Sequence, residues 1–370
     1  MTERALRRFL LCVIVTLLSV GGVAVYSATV VTAHEVYGRS LHFVANHVAA
    51  IGLGLSLGIG CLALPSSTLR QSAKWALLLS LVGLTLVVVV GPEIGGAQRW
   101  FRIGHLSIQP SEFAQLALIL YLADFLARKQ ILVQEFREGF APPMLATGMM
   151  AALVLAQPDL GTAIVMGAVA VLMLVVAKAR WRHVGIALAI CAVVLAVLIG
   201  GEEYRRRRIL AFLNPWQDPQ GVGFQIVQSY VALASGGLLG RGIGGSMQKL
   251  FYLPGAHTDF IFAIVGEELG LVGTTALLGL FALFVTCGLR MALDVTDPFR
   301  KYLICGCVGL IGLEAIVHMA VVTGLLPTKG LPLPLVSYGG TSMVSNLIAC
   351  AWIFHASRQR NAEWGLRNAE

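Results

Sequence analysis

The chain has 370 residues, 57% of them hydrophobic and 12% charged, with a formal net charge of +8. Soluble domains carry about 25% charged residues, so a soluble globular class is excluded. The basic residues sit in short stretches between apolar runs, which excludes a nucleic-acid-binding face.

No hydrophilic block is long enough for a separate soluble domain, so residues 1–370 read as one all-α, polytopic membrane domain. Arg4, Arg7 and Arg8 precede a long apolar run with no small-residue cleavage site, the pattern of an anchor and not of a cleaved signal. Apolar runs near the ~20 residues that cross a bilayer predict about ten spans. They cover roughly 9–31, 43–64, 75–90, 111–127, 144–156, 163–177, 185–204, 265–288, 302–323 and 342–357. With the N-terminus inside, the inner segments hold most of the 27 Lys and Arg, so both termini are expected in the cytoplasm. Trp residues, Trp364 in the tail included, lie at or beyond span ends. The seven cysteines all fall in apolar segments, at spacings that suit neither a disulfide framework nor a zinc site.

The unusual chemistry gathers on the outer side. Segment 91–110 mixes aromatic and basic residues, as an interfacial segment does. The outer loop at about 205–264, between spans seven and eight, is by far the longest, and its aromatic content argues against disorder. It opens on Arg205, Arg206, Arg207 and Arg208, four cations on the side where the orientation rule disfavours them. They suit either a lipid-headgroup anchor or a bidentate clamp for a diphosphate, with Arg99 and Arg102 adding to the field. Gly236 to Gly245 is glycine-rich but has neither a preceding strand nor a Lys-Ser or Lys-Thr ending, so it reads as a tight re-entrant turn.

The loop closes on Phe251 to Gly270. Here a Pro-Gly break precedes His257, Thr258 and Asp259, and Phe260, Ile261 and Phe262 follow. Asp259 is either the N-cap of the following helix or a general base whose apolar neighbours raise its pKa. Glu112 at the start of the fourth span is a helix-start carboxylate or a site residue. Glu267 and Glu268 fall inside an apolar segment. Glu314 and His318 lie four apart on one helix face, where a mutual hydrogen bond is the expected arrangement. No internal repeat of fixed period is present, which counts against a repeat-built transporter.

Several ordered motifs resemble the SEDS family of bacterial membrane proteins, which comprises FtsW, RodA and SpoVE. They are Gly96-Ala97-Gln98-Arg99-Trp100, Gln109 to Ala114, Gln157 to Thr162, Phe212 to Gly221, His257 to Ala263 and Gly330 to Gly340. The resemblance implies a ten-helix glycosyltransferase that polymerises lipid II into peptidoglycan, with its catalytic Asp at Asp259. Arg99, Trp100, Glu112, Arg205, Arg206, Arg207, Arg208, His257, Thr258, Lys329 and Ser337 are the candidate substrate contacts. Leu326 to Gly330 and Gly266 to Gly270 look more like the division branch than the elongation branch. That implies a class B penicillin-binding protein and other divisome membrane proteins as partners, in the bacterial inner membrane. The chain departs from most relatives at Gly255 (usually Glu), Gln115 (usually Lys), and Glu314 and His318 (usually Gln and Asn). No metal ligands are assigned. A divalent cation, Mg or Mn, is one way to supply charge in place of the missing Lys. The alternatives are a lipid II flippase, a non-catalytic scaffold and an elongation polymerase.

Overall fold

The computed structural model describes residues 2–93, 96–104, 106–201, 203–250 and 252–358. Phe251, Arg360, Trp364 and Arg367 lie outside the described residues. The helices run α1 (Glu3–Tyr37), α2 (His42–Ala63), α3 (Ser66–Val90), α4 (Pro110–Arg128), α5 (Ala141–Ala156), α6 (Leu160–Val176), α7 (Trp181–Gly200), α8 (Glu203–Leu213), α9 (Phe224–Gly236), α10 (Ile261–Asp294), α11 (Pro298–Val322) and α12 (Gly340–Ser357). Each of the ten expected spans falls on one of them. Eight helices among the described residues are long and apolar enough to cross a membrane. Of the other two spans, α6 has 17 residues, and α12 carries Thr341, Ser342, Ser345, Asn346 and His355 along its 18. This is a multi-pass, all-α membrane protein.

Burial sorts the helices. In their most apolar windows α4 and α11 are 72% buried, whereas α3 and α7 are 17% buried. The former are central struts and the latter present Leu79, Val89, Val193 and Val197 outward, as lipid-facing helices do. At the inner ends, Asp124 of α4 joins Arg70 of α3 at 2.9 Å and Arg128 at 2.6 Å. At the opposite end gather segments 91–109, 157–159, 203–260 and 323–339, which the charge distribution assigns to the outer face. Segment 91–110 is more ordered than an interfacial stretch, because Phe101–Ile103 and Leu106–Ile108 pair as an antiparallel hairpin. It docks on the start of α12, where Thr341 Oγ1 donates to Ser107 O at 3.1 Å.

Two boundaries differ from expectation. The seventh span stops at Gly200 and the arginine run lies on the separate helix α8, where Glu203 pairs with Arg207 one turn on. The eighth starts at Ile261, four residues earlier than its apolar run suggests, and is broken at Gly270 (φ 65°, ψ −160°). A broken helix in a membrane must satisfy its freed backbone groups from neighbouring protein. The re-entrant segment does so. Arg241 N and Gly242 N donate to Glu267 O and Glu268 O, and Leu271 N and Val272 N donate to Gly237 O and Leu238 O. The approach is so close that a Cβ on Gly240 would sit 2.1 Å from Glu268 O.

The side chains of Glu267 and Glu268 lock the same joint. Glu267 accepts from Ser246 Oγ (2.5 Å), Met247 N (3.0 Å) and Gln248 N (3.2 Å). Glu268 accepts from Ser27 Oγ of α1 (2.5 Å) and pairs with buried Lys249 Nζ (3.0 Å), which also donates to Gly244 O (2.7 Å). These intramembrane acids are therefore structural. They hold the segment that leads into Asp259.

Candidate active site

Asp259 sits at the end of a tight turn. Its own N–H and those of Thr258 and Phe260 all donate to Gly255 O, at 3.0, 3.1 and 3.1 Å. Asp259 does not cap α10. The N-cap residue is Phe260, and no side chain caps this helix. The carboxylate is thus left over for other use. It lies against the backbone of Gly330 from the 323–339 segment, where a Cβ would stand 3.1 Å from Asp259 Oδ2. Two cross-links hold the segments together: Tyr338 N donates to His257 O at 2.9 Å, and Ser337 Oγ donates to Thr258 O at 2.6 Å.

The electrostatics of the cleft come from four chain segments. Burial pushes the Asp259 carboxyl up to about 6, against the lowering effects of a Thr258 hydrogen bond and of Arg208 and Arg99, with Asp159 adding to the rise. Arg208 reaches over from α8 and donates to Thr328 O at 3.4 Å. Arg99 is anchored on Gln157 O at 2.8 Å and on Pro158 O. Lys329 is partly buried, which lowers its pKa, while Asp159 acts to raise it. One anion with two guanidinium groups in its field can remove a proton and balance a leaving diphosphate at the same place.

The other candidates fall in different positions. Arg206 and Arg207 are exposed, and Arg207 is paired with Glu203 at 2.6 Å. The side chain of Arg205 lies outside what is described. Trp100 is partly buried beside Arg99 in sequence. His257 packs on the rings of Phe43 and Tyr338, with centroids at 5.2 and 5.6 Å, and burial lowers its pKa. Thr258 Oγ1 donates to Gly255 O at 3.3 Å. Ser337 Oγ spends both roles on backbone, accepting from Leu333 N at 2.8 Å as well. Glu112 is buried within the helix bundle and accepts from Ser345 Oγ at 3.1 Å. Glu314 and His318 do not bond each other; His318 Nδ1 meets Leu331 O at 2.8 Å instead.

Asp159 and Gly330 are site residues that sequence reasoning quoted within motifs without a role. Asp159 caps α6 through Thr162 N (3.2 Å) and Thr162 Oγ1 (2.9 Å), which looks purely structural until the fold brings it under Asp259. Gly330 matters through the room it leaves. Gly330→Ala should lower the turnover number roughly tenfold by displacing the Asp259 carboxylate, with the thermal midpoint unchanged. Steady-state kinetics beside a melting curve checks this.

The family model described as "Cell cycle protein", for FtsW, RodA and SpoVE, matches residues 7–362. The chain is 43% identical over 350 residues to the probable peptidoglycan glycosyltransferase FtsW of Geobacter metallireducens, covering 94% of this chain and 93% of that protein. It is 39% identical over 362 residues to stage V sporulation protein E of Bacillus subtilis, covering 97% and 99%. Among solved structures, a chain of a peptidoglycan synthase complex superposes with TM-score 0.77 at 31% identity, over 95% of this chain and 98% of that one. The rod-shape-determining protein RodA of Thermus thermophilus gives TM-score 0.71 at 28% identity, over 95% and 97%. By sequence along nearly its whole length and by fold, this chain belongs to the FtsW/RodA/SpoVE family.

Proposed function

We propose that the chain is a peptidoglycan glycosyltransferase that polymerises lipid II, with Asp259 as its general base. The observation that carries this is the Asp259 carboxylate, released from helix capping, half-buried at the head of α10 and lying within the fields of Arg99 and Arg208. The carboxylate takes the proton from the 4-hydroxyl of the GlcNAc of an incoming lipid II. That oxygen bonds to the anomeric carbon of the growing, lipid-linked strand. The bond from this carbon to the diphosphate oxygen breaks, and undecaprenyl diphosphate leaves with the electron pair. Arg208 and Arg99 balance its charge, and Lys329 lies in the same cleft. Asp259 sits where a polar loop meets the apolar start of α10, so the headgroup can react while the prenyl tails stay in hydrocarbon.

Among the described residues no group of three or more His, Cys, Asp or Glu comes together as a metal site. A magnesium-type ion needs only one or two carboxylates when substrate phosphates supply the rest, and Asp159, whose charge acts on the Asp259 cleft, is the carboxylate that would hold it while Asp259 stays free as the base. Such an ion would supply positive charge to the departing diphosphate. The residues do their own part by holding the proton at Asp259 and the arginines at fixed anchors.

The sequence likeness to FtsW proteins favours septal synthesis with a class B penicillin-binding protein and other divisome proteins, in the bacterial inner membrane. The test is polymerisation of purified lipid II by the full chain with that partner, followed across pH. A base works ionised, so activity is present above the Asp259 pKa of about 6 and is lost below it. The rate should fall about tenfold per pH unit on that acid limb. A limb centred near the ordinary carboxylate value of 3.8 would remove Asp259 from the role.

A further inference from the structure

His318 takes no part in the reaction as written, yet it ties the helix bundle to the active-site loop. It lies one turn before the end of α11 and is 1% exposed. Its Nδ1 meets Leu331 O at 2.8 Å, and its Nε2 has no hydrogen-bond partner. A carbonyl oxygen only accepts, so Nδ1 carries the hydrogen and donates it. The ring makes one bond and leaves its other nitrogen buried and unsatisfied, which costs stability. An apolar side chain would avoid that cost. What the imidazole supplies here is the Nδ1–H donor.

Leu331 is where the 323–339 segment enters the core. Gly330 is exposed, and Leu331 is 5% exposed. Leu331 N donates to Lys329 O at 2.9 Å, closing a three-residue turn with Gly330 at its centre. Its side chain packs on the start of α6, where a Cβ on Gly161 would stand 3.2 Å from it. The stretch can do little to hold itself, because Pro327, Pro332 and Pro334 have no N–H to give. Among the described residues, two side chains from elsewhere bond to the backbone of 327–332. Arg208 reaches Thr328 O at 3.4 Å, and His318 reaches Leu331 O. The His318 bond is the shorter and comes from a buried helix. It also adjoins Gly330, where a Cβ would stand 3.1 Å from Asp259 Oδ2.

We propose that His318 is a positioning residue: by donating to Leu331 O it holds the Lys329–Gly330–Leu331 turn against the Asp259 carboxylate and so sets the place from which that base works. The inference rests on the reading of Asp259 as the general base. Without the donor, Leu331 O is left unpaired in the core, and the turn shifts to find a partner. A shift of about 1 Å near a reacting group costs up to about a hundredfold in rate. Arg99 is anchored separately, on Gln157 O and Pro158 O, so turnover suffers more than substrate binding.

The test compares His318→Leu, His318→Gln and His318→Asn with the wild-type full chain in lipid II polymerisation. In Asn the amide nitrogen is bonded to Cγ, as Nδ1 is in His, so the donor keeps its place. Gln moves the donor one methylene further. His318→Leu and His318→Gln should lower turnover per folded enzyme roughly tenfold with KM unchanged, and His318→Asn should recover most of it. A loosened turn lets water reach Asp259 while Arg99, Arg208 and Asp159 still act on it. The acid limb should therefore move below its wild-type position of about 6 in His318→Leu and stay in His318→Asn. Hydrogen exchange at the Leu331 amide should quicken in the Leu and Gln variants only. The Gln and Asn pair serves if His318→Leu does not fold. The proposal is overturned if folded His318→Leu or His318→Gln turns over like wild type, or if Asn rescues no better than Leu or Gln. It is also overturned if the loss only tracks the folded fraction with the acid limb unmoved. Failure of the underlying reading looks different, because the wild-type chain itself would then not polymerise lipid II. Unchanged exchange at Leu331 in the Leu and Gln variants would overturn the hold on the turn even then.

Discussion

Asp259→Asn should abolish polymerisation of lipid II while leaving the protein folded. General-base catalysis contributes roughly 10²- to 10⁴-fold, and the residual rate should sit at the lower end of detection in a gel assay of glycan strands. The variant is a clean test because of how the residue is held. The turn is built from backbone, with Asp259 N donating to Gly255 O, and the helix that follows is not capped by this side chain. Asn keeps the shape and removes the base. Its thermal midpoint should equal or exceed that of the wild type, since burial already disfavours the ionised carboxylate that Asn replaces. Asp259→Glu should retain more activity than Asn, though its longer side chain must fit against Gly330. A folded Asp259→Asn protein that polymerised lipid II at the wild-type rate would falsify the assignment.

The second large effect is on stability. Lys249→Met should destabilise the protein by about 3–5 kcal/mol, because it strands the Glu268 carboxylate in a buried site. The ammonium is enclosed by Glu268, Ser27 and Gly244, so no water replaces it. The paired change Lys249→Met with Glu268→Gln should recover much of the loss, since removing both charges removes the stranded one. A thermal-unfolding series on the two singles and the double measures this. The single variant should also lose activity more than its residual folded fraction explains, because residues 237–249 lead directly into the turn that carries Asp259. Equal stability of all three proteins would mean that the pair is not what closes the break in α10.

How far these features were legible in the chain depends on whether their cause is local. The ten apolar runs were legible because crossing hydrocarbon imposes about 20 consecutive apolar residues, and helices formed over all of them. Asp259 stood out because a carboxylate between a Pro-Gly break and an apolar run is locally anomalous. The re-entrant turn at residues 236–245 is legible too, since so many glycines permit the close backbone approach that the break in α10 needs. The end of the seventh span is not legible, because hydropathy fades gradually there, whereas the Gly200-Gly201 pair ends α7 before the charged helix begins.

Pairing across helices was not legible. Four successive arginines look equivalent in a sequence, yet helix α8 turns Arg207 to Glu203 and Arg208 toward the cleft. Asp159 reads as a cap, and only the packing of α6 beneath the outer loops makes it a neighbour of Asp259 and Glu112. Glu314 and His318 lie on one helix face, but His318 is drawn to Leu331 O by a loop thirteen residues on. The sequence by itself determined a polytopic helical membrane protein with an acid stationed in its long loop, because hydrophobic length and helix-breaking residues act within a few turns. Tertiary structure alone decided which charges face that acid and which acids face each other, because those distances arise from helices and loops far apart in the chain packing against one another.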